Sequence, residues 1–240
     1  MTNKITIKRS GLERLLDQAS AMSAGTASGV SAFVMGYREG KFYVFRSDKA
    51  VMVVVNTPLV KCEGGFKDLE FSLPSDKLTK LVKSFTDEFV SFFILEDKIT
   101  ISCGEYTATW LKVKISEDVL KPNREEIADW VEVDAKKLTD AVDSVKYAAS
   151  KDGVRQDLMQ IVVENGVCWA TDFYRFQSVV VDVPKGFKLF LPLAALDVLK
   201  FIKLSYAETI QVGENEDFYG FVVGEDMFLC RKSKVSPMNV

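Results

Sequence analysis

One short segment carries most of the side chains that could do chemistry. It reads Ala170-Thr171-Asp172-Phe173-Tyr174-Arg175-Phe176 and brings together a carboxylate, a guanidinium and three aromatic rings. Asp172 could activate a water molecule, with Asp152 or Asp157 as the second carboxylate of an enzyme. Neither acid stands at a defined spacing from Asp172, and no cluster of metal-binding residues accompanies them. Carboxylate-based catalysis is therefore an alternative that the spacing does not support.

Histidine is absent from the 240 residues. Its absence removes the commonest general base, the usual zinc ligand and any pairing of histidine with a serine or cysteine nucleophile. The glycine-rich loops of nucleotide-binding enzymes and the G-x-S-x-G motif of serine hydrolases are also missing from the sequence. The sequence therefore predicts a protein that is not an enzyme, with no cofactor and no metal.

The four cysteines, Cys62, Cys103, Cys168 and Cys230, stand tens of residues apart, and none forms a C-x-x-C pair. This spacing favours buried, reduced thiols in strands over a disulfide framework or a zinc site. No apolar run approaches the roughly 20 residues that cross a bilayer. The first nine residues lack the apolar segment of a signal peptide. We therefore expect a cytoplasmic protein with no membrane partner.

The apolar residues follow a pattern that starts four times, each time as a strand, a helix and then further strands. The predicted helices cover 10–22, 74–85, 135–149 and 192–204. The predicted strands cover 5–8, 30–37, 41–46, 51–57, 69–73, 89–95, 98–103, 106–113, 130–133, 158–164, 167–171, 177–183, 187–191, 209–212, 219–223 and 227–231. Pro74 suits the first turn of the second helix, Asp134 suits the N-cap of the third, and Asn165-Gly166 suits a type I′ hairpin turn.

The four units form two pairs, which predicts an N-terminal domain over 1–113 and a C-terminal domain over 130–240. Segment 114–129 is charged, contains Lys121-Pro122-Asn123 and has no steady period, so it is interpreted as an interdomain connector. Two such units can place two helices on one side of antiparallel sheets. The predicted fold class is therefore α+β.

Positive charge is concentrated in the predicted helices. The net charge of the chain is −3, whereas three of the four helices carry more lysine than acid. Lysine on exposed helix faces often serves solubility alone. The alternative is a helical surface that faces phosphates without reading base sequence. The candidate DNA-binding residues are Arg14, Lys77, Lys80, Lys83, Lys136, Lys137, Lys146, Lys151, Arg155, Lys200 and Lys203.

Segment 170–176, which follows a predicted strand, resembles the A-T-D-x-x-R-[LM] signature in the middle domain of the bacterial DNA polymerase III β sliding clamp. Ser150-Lys151-Asp152-Gly153-Val154-Arg155, with Leu158 after it, resembles the stretch that follows the first helix of that domain. Val131-Glu132-Val133 resembles the opening of the domain, and Leu191-Pro192 fits its second half. The resemblance covers about 130–235, and residues 1–113 match only in pattern.

This resemblance implies a DNA clamp, a closed ring of six domains in which helices line the hole and antiparallel sheets lie outside. Such a ring encircles double-stranded DNA, tethers a DNA polymerase and is opened by an ATP-dependent clamp loader. The bacterial β clamp has three domains and is a dimer. This chain has room for two, as in the clamps of eukaryotes, archaea and T4-like phages, which implies a homotrimer and a phage or mobile-element source. We expect 106–113 of one copy to meet 177–183 of the next.

In the bacterial clamp, the A-T-D-x-x-R loop lines a hydrophobic pocket that receives peptide motifs from polymerase and loader. The resemblance assigns this pocket, position by position, to Thr171, Arg175 and Phe176, with Pro192 and Leu196 nearby. Phe173 and Tyr174 depart from the usual Gly-His, so this site is bulkier. The end of the chain, which includes Pro237 and Met238, loosely resembles the C-terminus of the bacterial clamp, in a third domain that this chain lacks. The alternative is that Phe173 and Phe176 are core residues.

Three other functions compete with the ring. A monomeric processivity factor of the clamp fold would keep the DNA contact without encirclement. An oligomeric scaffold would keep the assembly without DNA. A carboxylate-based enzyme is the third, and the spacing of its acids gives it the least support. Oligomeric state and charge reversal on the second helix distinguish the first two from the ring.

Overall fold

The computed structural model describes residues 3–20, 32–47, 50–64, 69–114 and 124–238. The chain divides into two compact units, Met1–Lys121 and Pro122–Val240. The division falls inside the predicted connector, of which 115–123 lie outside the described residues. The described end of the connector forms a short 3-10 helix at Arg124–Glu126 and then enters a strand.

The first unit contains two helices and nine strands among its described residues. In chain order they are β1 (Asn3–Lys8), α1 (Arg9–Ala19), β2 (Ala32–Arg38), β3 (Lys41–Ser47), β4 (Val51–Pro58), β5 (Lys61–Glu63), β6 (Leu69–Pro74), α2 (Ser75–Lys83), β7 (Phe89–Ile94), β8 (Lys98–Cys103) and β9 (Tyr106–Leu111).

The second unit repeats this order without a counterpart of β5 among its described residues. Its elements are β10 (Ala128–Asp134), α3 (Ala135–Val145), β11 (Gln160–Glu164), β12 (Val167–Thr171), β13 (Phe176–Val180), β14 (Lys188–Pro192), α4 (Asp197–Ser205), β15 (Thr209–Glu214), β16 (Phe218–Val223) and β17 (Asp226–Arg231). Short 3-10 helices occur at Lys146–Ala148, Gln156–Leu158 and Leu193–Ala195.

Each unit is built from two halves that exchange their first strands. In the first unit, β1 pairs with β7 of the other half, and β6 pairs with β2. In the second unit, β10 pairs with β15 and β14 pairs with β11. The resulting strand orders are β5-β1-β7-β8-β9 and β4-β3-β2-β6, then β10-β15-β16-β17 and β13-β12-β11-β14. All the pairs within these orders are antiparallel, which confirms the α+β class and the paired repeats.

The helices cover the sheets with one apolar face each. Leu12, Leu15, Leu16 and Ala19 of α1 are buried, at the helical spacing that the sequence shows. Within each unit the two helices also contact each other, α1 with α2 and α3 with α4. The side chain of Asp134 accepts a hydrogen bond from the Lys137 N–H at 2.8 Å, which confirms the predicted cap.

Helix ends differ from the prediction where the backbone forms a 3-10 turn or stays extended. Pro74 is not in the first turn of α2, because its extended ψ of 123° keeps it in β6. Pro192 likewise stays in β14, and a 3-10 turn precedes α4. The third helix ends at Val145 and continues only as a 3-10 turn. Of the predicted end of the first helix, 21–22 lie outside the described residues.

The hairpin at Asn165-Gly166 has the predicted geometry, because both residues have positive φ, 53° and 76°. Aromatic side chains fill the centre of each unit. Phe42, Phe71 and Phe92 cluster in the first, with ring centroids 5.6 to 6.4 Å apart. Phe201, Phe221 and Phe228 cluster in the second. No helix within the described ranges is long and apolar enough to cross a membrane.

The four cysteines lie in strands as free thiols, and all except the half-exposed Cys62 are buried. Burial raises the pKa of Cys168 and of Cys230 to about 12, so neither forms a thiolate at neutral pH. Maleimide should therefore label Cys62 alone on the native protein and all four thiols after unfolding. Mass spectrometry counts the labels, and Cys62→Ser is the control. Native labelling of Cys168 or Cys230 would contradict this burial.

Candidate functional site

Residues of the predicted docking pocket lie in one row across the end of the sheet β13-β12-β11-β14. Phe176 of β13 is opposite Thr171 of β12, and Gln160 of β11 is opposite Pro192 of β14. Because β11 and β12 are neighbours, the four residues share one end of the sheet. We call this set, Phe176, Thr171, Gln160 and Pro192, the docking row.

The loop between Thr171 and Phe176 is closed by its own side chains. The Thr171 hydroxyl donates to the Arg175 carbonyl at 2.7 Å and accepts from the Phe173 N–H at 3.2 Å. The Asp172 carboxylate accepts from the backbone N–H groups of Tyr174 and Arg175 and forms an ion pair with the Arg175 guanidinium at 2.6 Å. These donors, above all the Arg175 side chain, lower the pKa of Asp172. A carboxylate held ionised in this way is a weak proton acceptor, so its position fits a structural role.

The aromatic side chains of this loop point into solvent. Phe173 is 56% exposed, Tyr174 is 95% exposed and Phe176 is 53% exposed. Phe176 also packs on Trp169, with ring centroids 6.0 Å apart. Neither phenylalanine is therefore a core residue, contrary to the structural alternative. Adjacent exposed aromatic rings are typical of a surface that binds a partner.

Arg155, which the sequence assigns to the DNA-facing set, contacts the docking loop instead. Its guanidinium lies over the Phe173 ring at 4.5 Å from the centroid. The same group forms two hydrogen bonds to Asp157, at 2.9 and 2.5 Å, which lower the pKa of that carboxyl. Asp157, considered above as a catalytic acid, is therefore occupied by an arginine.

The C-terminal segment reaches the docking row through Gln160, which sequence reasoning missed. The buried Gln160 amide donates to the Val235 carbonyl at 2.7 Å and to the Gln156 carbonyl at 3.3 Å. Pro237 and Met238 follow and are half-buried, as is Leu196 at the start of α4. The available signal was a polar residue opening the otherwise apolar strand Gln160–Glu164.

Most of the candidate DNA-binding lysines have an acidic partner. Lys83 pairs with Asp17, Lys136 with Asp140, Lys137 with Asp182, Lys200 with Asp197, and Lys146 and Lys203 both with Asp143. Arg14 donates to Gln18 and to the Asn56 carbonyl. Across the described ranges, Lys77, Lys80 and Lys151 are exposed and have no acidic partner. The free positive charge of the helices is therefore concentrated on α2.

The two strands that are predicted to meet between copies both lie at the edge of a sheet. β9 ends one sheet and β13 ends another. The Lys112 N–H donates to the Asp97 carbonyl, so it points toward β8. Because N–H groups alternate in direction along a strand, those of Thr107, Thr109 and Leu111 point away from β8. The Val181 N–H donates to the Gly166 carbonyl, so it points toward β12. By the same alternation, the N–H groups of Phe176, Ser178 and Val180 point away from β12. Each edge thus offers a short row of outward donors.

Comparisons with known proteins match at the level of structure. No protein-family model and no curated protein matches the chain. The β subunit of DNA polymerase III from Thermotoga maritima superposes with a TM-score of 0.84 at 20% identity, over 99% of this chain and 66% of that one. The chain has the sliding-clamp fold.

Two further solved clamps agree, and both are bound to griselimycin. The clamp of Bartonella birtlesii gives a TM-score of 0.83 at 17% identity, over 98% of this chain and 66% of that chain. The clamp of Pseudomonas aeruginosa gives a TM-score of 0.78 at 18% identity, over 96% of this chain and 64% of that chain. This chain thus spans about two thirds of the length of these clamps. The superposition with the Thermotoga maritima protein covers 99% of this chain, so it includes the first unit, for which the sequence resembles the bacterial clamp only in pattern.

Proposed function

We propose that this protein is a DNA sliding clamp, a closed ring that encircles duplex DNA and acts as a processivity factor for a DNA polymerase. The observation that carries the proposal is the clamp fold over 99% of the chain. The occupied carboxylates Asp157 and Asp172 favour this function over carboxylate-based catalysis. The protein acts as a scaffold, without enzymatic activity of its own and without a cofactor.

The ring consists of three copies of the chain. A clamp ring has six domains, and each chain supplies two clamp units, which fits its coverage of 66% of a bacterial clamp chain. The contact joins β9 of one copy to β13 of the next, which covers two exposed sheet edges. A head-to-tail contact of this kind closes into a ring when its rotation allows. A two-domain clamp suits a phage or mobile element and would work in the host cytoplasm.

DNA contact comes from lysines on the helices, mainly from Lys77 and Lys80 of α2, with Lys151 beyond α3. Lysines meet phosphates as flexible point charges and carry no base specificity. Encirclement means that no single contact must be strong, because DNA without a free end leaves only when the ring opens. The ring can therefore slide. Opening it is the task of a separate ATP-dependent clamp loader.

Polymerase and loader dock at the docking row and at the exposed rings of the loop beside it. The surface offers Tyr174 and Phe176 on a closed loop that its own hydrogen bonds make rigid. Rigid aromatic anchors bind a partner peptide with little loss of conformational entropy. Arg175 belongs to this loop, and its ion pair with Asp172 holds the loop in shape.

A topological experiment tests the ring. Linear DNA is ligated into circles in the presence of the protein, and the circles are then passed through a sizing column at high salt. We expect the protein to co-elute with the circles and to be released when one restriction cut opens them, because salt breaks phosphate contacts but not encirclement. Unligated DNA is the control. Equal behaviour of circles and linear DNA would exclude encirclement.

Light scattering on the purified protein separates the alternatives. A mass of three chains, 26.9 kDa each, is expected at micromolar concentration. A monomer that still bound DNA would favour a monomeric processivity factor. A trimer that was not retained on circles would favour a scaffold without DNA.

A further inference from the structure

Phe173 combines an exposed ring, a strained backbone and a contact with a cation. Its ring is 56% exposed, its backbone has a φ of +76°, and the Arg155 guanidinium lies 4.5 Å from its ring centroid. A residue with a side chain is strained at such a φ, where glycine is not. Strain of this kind persists where the surroundings enforce it, and it concentrates at functional sites.

The Phe173 ring bridges two segments at the end of the sheet that holds the docking row. It starts from the loop between β12 and β13, and Arg155 belongs to the segment that leads into β11. Asp157 fixes the guanidinium from the other side through two hydrogen bonds. The ring is therefore held against Arg155, and its own backbone N–H bonds to Thr171 of the docking row.

We infer that the Phe173 ring, positioned by Arg155, restricts access to the docking row and sets which partner segment it accepts. The inference rests on the docking surface of the proposed function. Phe173 is the specificity-determining residue, and Arg155 is a positioning residue that acts through it. A ligand that reaches the row must displace the ring.

The accepted partner is a short apolar peptide segment. Both arginines beside the ring are already paired with acids of this chain, Arg155 with Asp157 and Arg175 with Asp172. Neither arginine is therefore free to bind a phosphate or a carboxylate, whereas single-stranded nucleic acid needs free cations beside the stacking rings. Apolar contact with Tyr174 and Phe176 therefore supplies the attraction.

Griselimycin is a suitable probe, because it is bound in two solved clamps of this fold. Isothermal titration calorimetry would compare the wild-type trimer with Phe173→Gly. We expect the variant to bind griselimycin about tenfold more tightly, because the held ring no longer has to be displaced. Its thermal unfolding temperature should not fall, because glycine removes the strain at φ +76°.

Tyr206→Gly is the matched control. Tyr206 is also aromatic, 87% exposed and at positive φ, +53°, but it lies at the end of α4. This substitution should relieve similar strain and leave griselimycin affinity unchanged. Arg155→Met should raise the affinity about threefold when Phe173 is present and not at all in the Phe173→Gly background, because its effect passes through the ring.

The possible results distinguish the role of Phe173 from the proposed docking surface on which it rests. Equal affinity of wild type and Phe173→Gly, or weaker binding by the variant, overturns the role of Phe173 and leaves the docking surface standing. Binding by neither protein removes the docking surface and this inference with it, while retention on circular DNA still decides whether the protein is a ring. A gain of affinity in Tyr206→Gly would also overturn the inference. A single-stranded oligonucleotide that bound the loop at high salt would replace the apolar peptide as occupant.

Discussion

Replacing Ser178 with proline should abolish the trimer while each chain stays folded. Ser178 lies in the middle of the edge strand β13, and its N–H points away from β12. Proline removes that donor and places its ring on the side where we propose that the next copy pairs. Because no bond within β12 and β13 uses this N–H, an edge strand tolerates the change. Light scattering should report a monomer, and circular dichroism should report an unchanged strand content.

The matched control is Ser178→Ala, which keeps the N–H and changes only an exposed side chain. It should remain trimeric. Thr109→Pro tests the opposite edge by the same logic, because the Thr109 N–H points away from β8. Both proline variants should also lose retention on circular DNA, since encirclement requires closure. A trimeric Ser178→Pro protein would show that the copies meet at another surface.

The strands, the turns and the caps could be read from the sequence because their causes are local. Alternation of apolar residues predicts β3 and β8 to within a residue, and Asn165-Gly166 can adopt the two positive φ values of its turn at little cost. The short β5 was missed, because three residues that read Lys-Cys-Glu carry no alternating pattern. Pro74 shows the limit of a local rule, because it suits a helix start but is retained in the strand before it.

The exchange of first strands could not be read from the sequence. The pairing of β1 with β7 joins residues more than 80 positions apart, and no local propensity encodes it. The same limit applies to the candidate site. Arg155 was assigned with the lysines because it is basic, whereas its contact with Phe173 depends on how two loops meet. A sequence motif marks the loop between Thr171 and Phe176, but no local pattern shows that the Arg155 side chain contacts it.

A count of charges in the sequence also does not show which residues form ion pairs across the fold. Lys137 appears as a free cation in its own helix, yet it pairs with Asp182, which is 45 residues away. Lys203 of α4 reaches Asp143 of α3. A sequence sum therefore treats three of the four helices as basic, whereas the structure leaves the unpaired charge mainly on α2. Two lysines of α2 are therefore the helix lysines whose charge is not offset by an acid of the described residues.

Reversing the charge of Lys77 and Lys80 together should weaken DNA binding far more than reversing two paired lysines. Both side chains are exposed, three residues apart on α2, and neither has an acidic partner within the described residues. If each meets one phosphate, the slope of log affinity against log salt should fall by about 0.9 per lost contact, or roughly 1.8 in all. Fluorescence anisotropy of a labelled duplex over a salt series measures the slope.

The control variant reverses Lys136 and Lys200, which are also exposed and lie on helices but already pair with Asp140 and Asp197. Their charge is partly offset before DNA arrives, so the slope should change by less than half as much. The amount of protein trapped on ligated circles should fall in the same order. Equal losses in both variants would mean that pairing does not select the contacts. Unchanged binding by the Lys77 and Lys80 variant would remove α2 from the DNA-facing surface, because no other described helix combines two exposed lysines with the absence of an acidic partner for either.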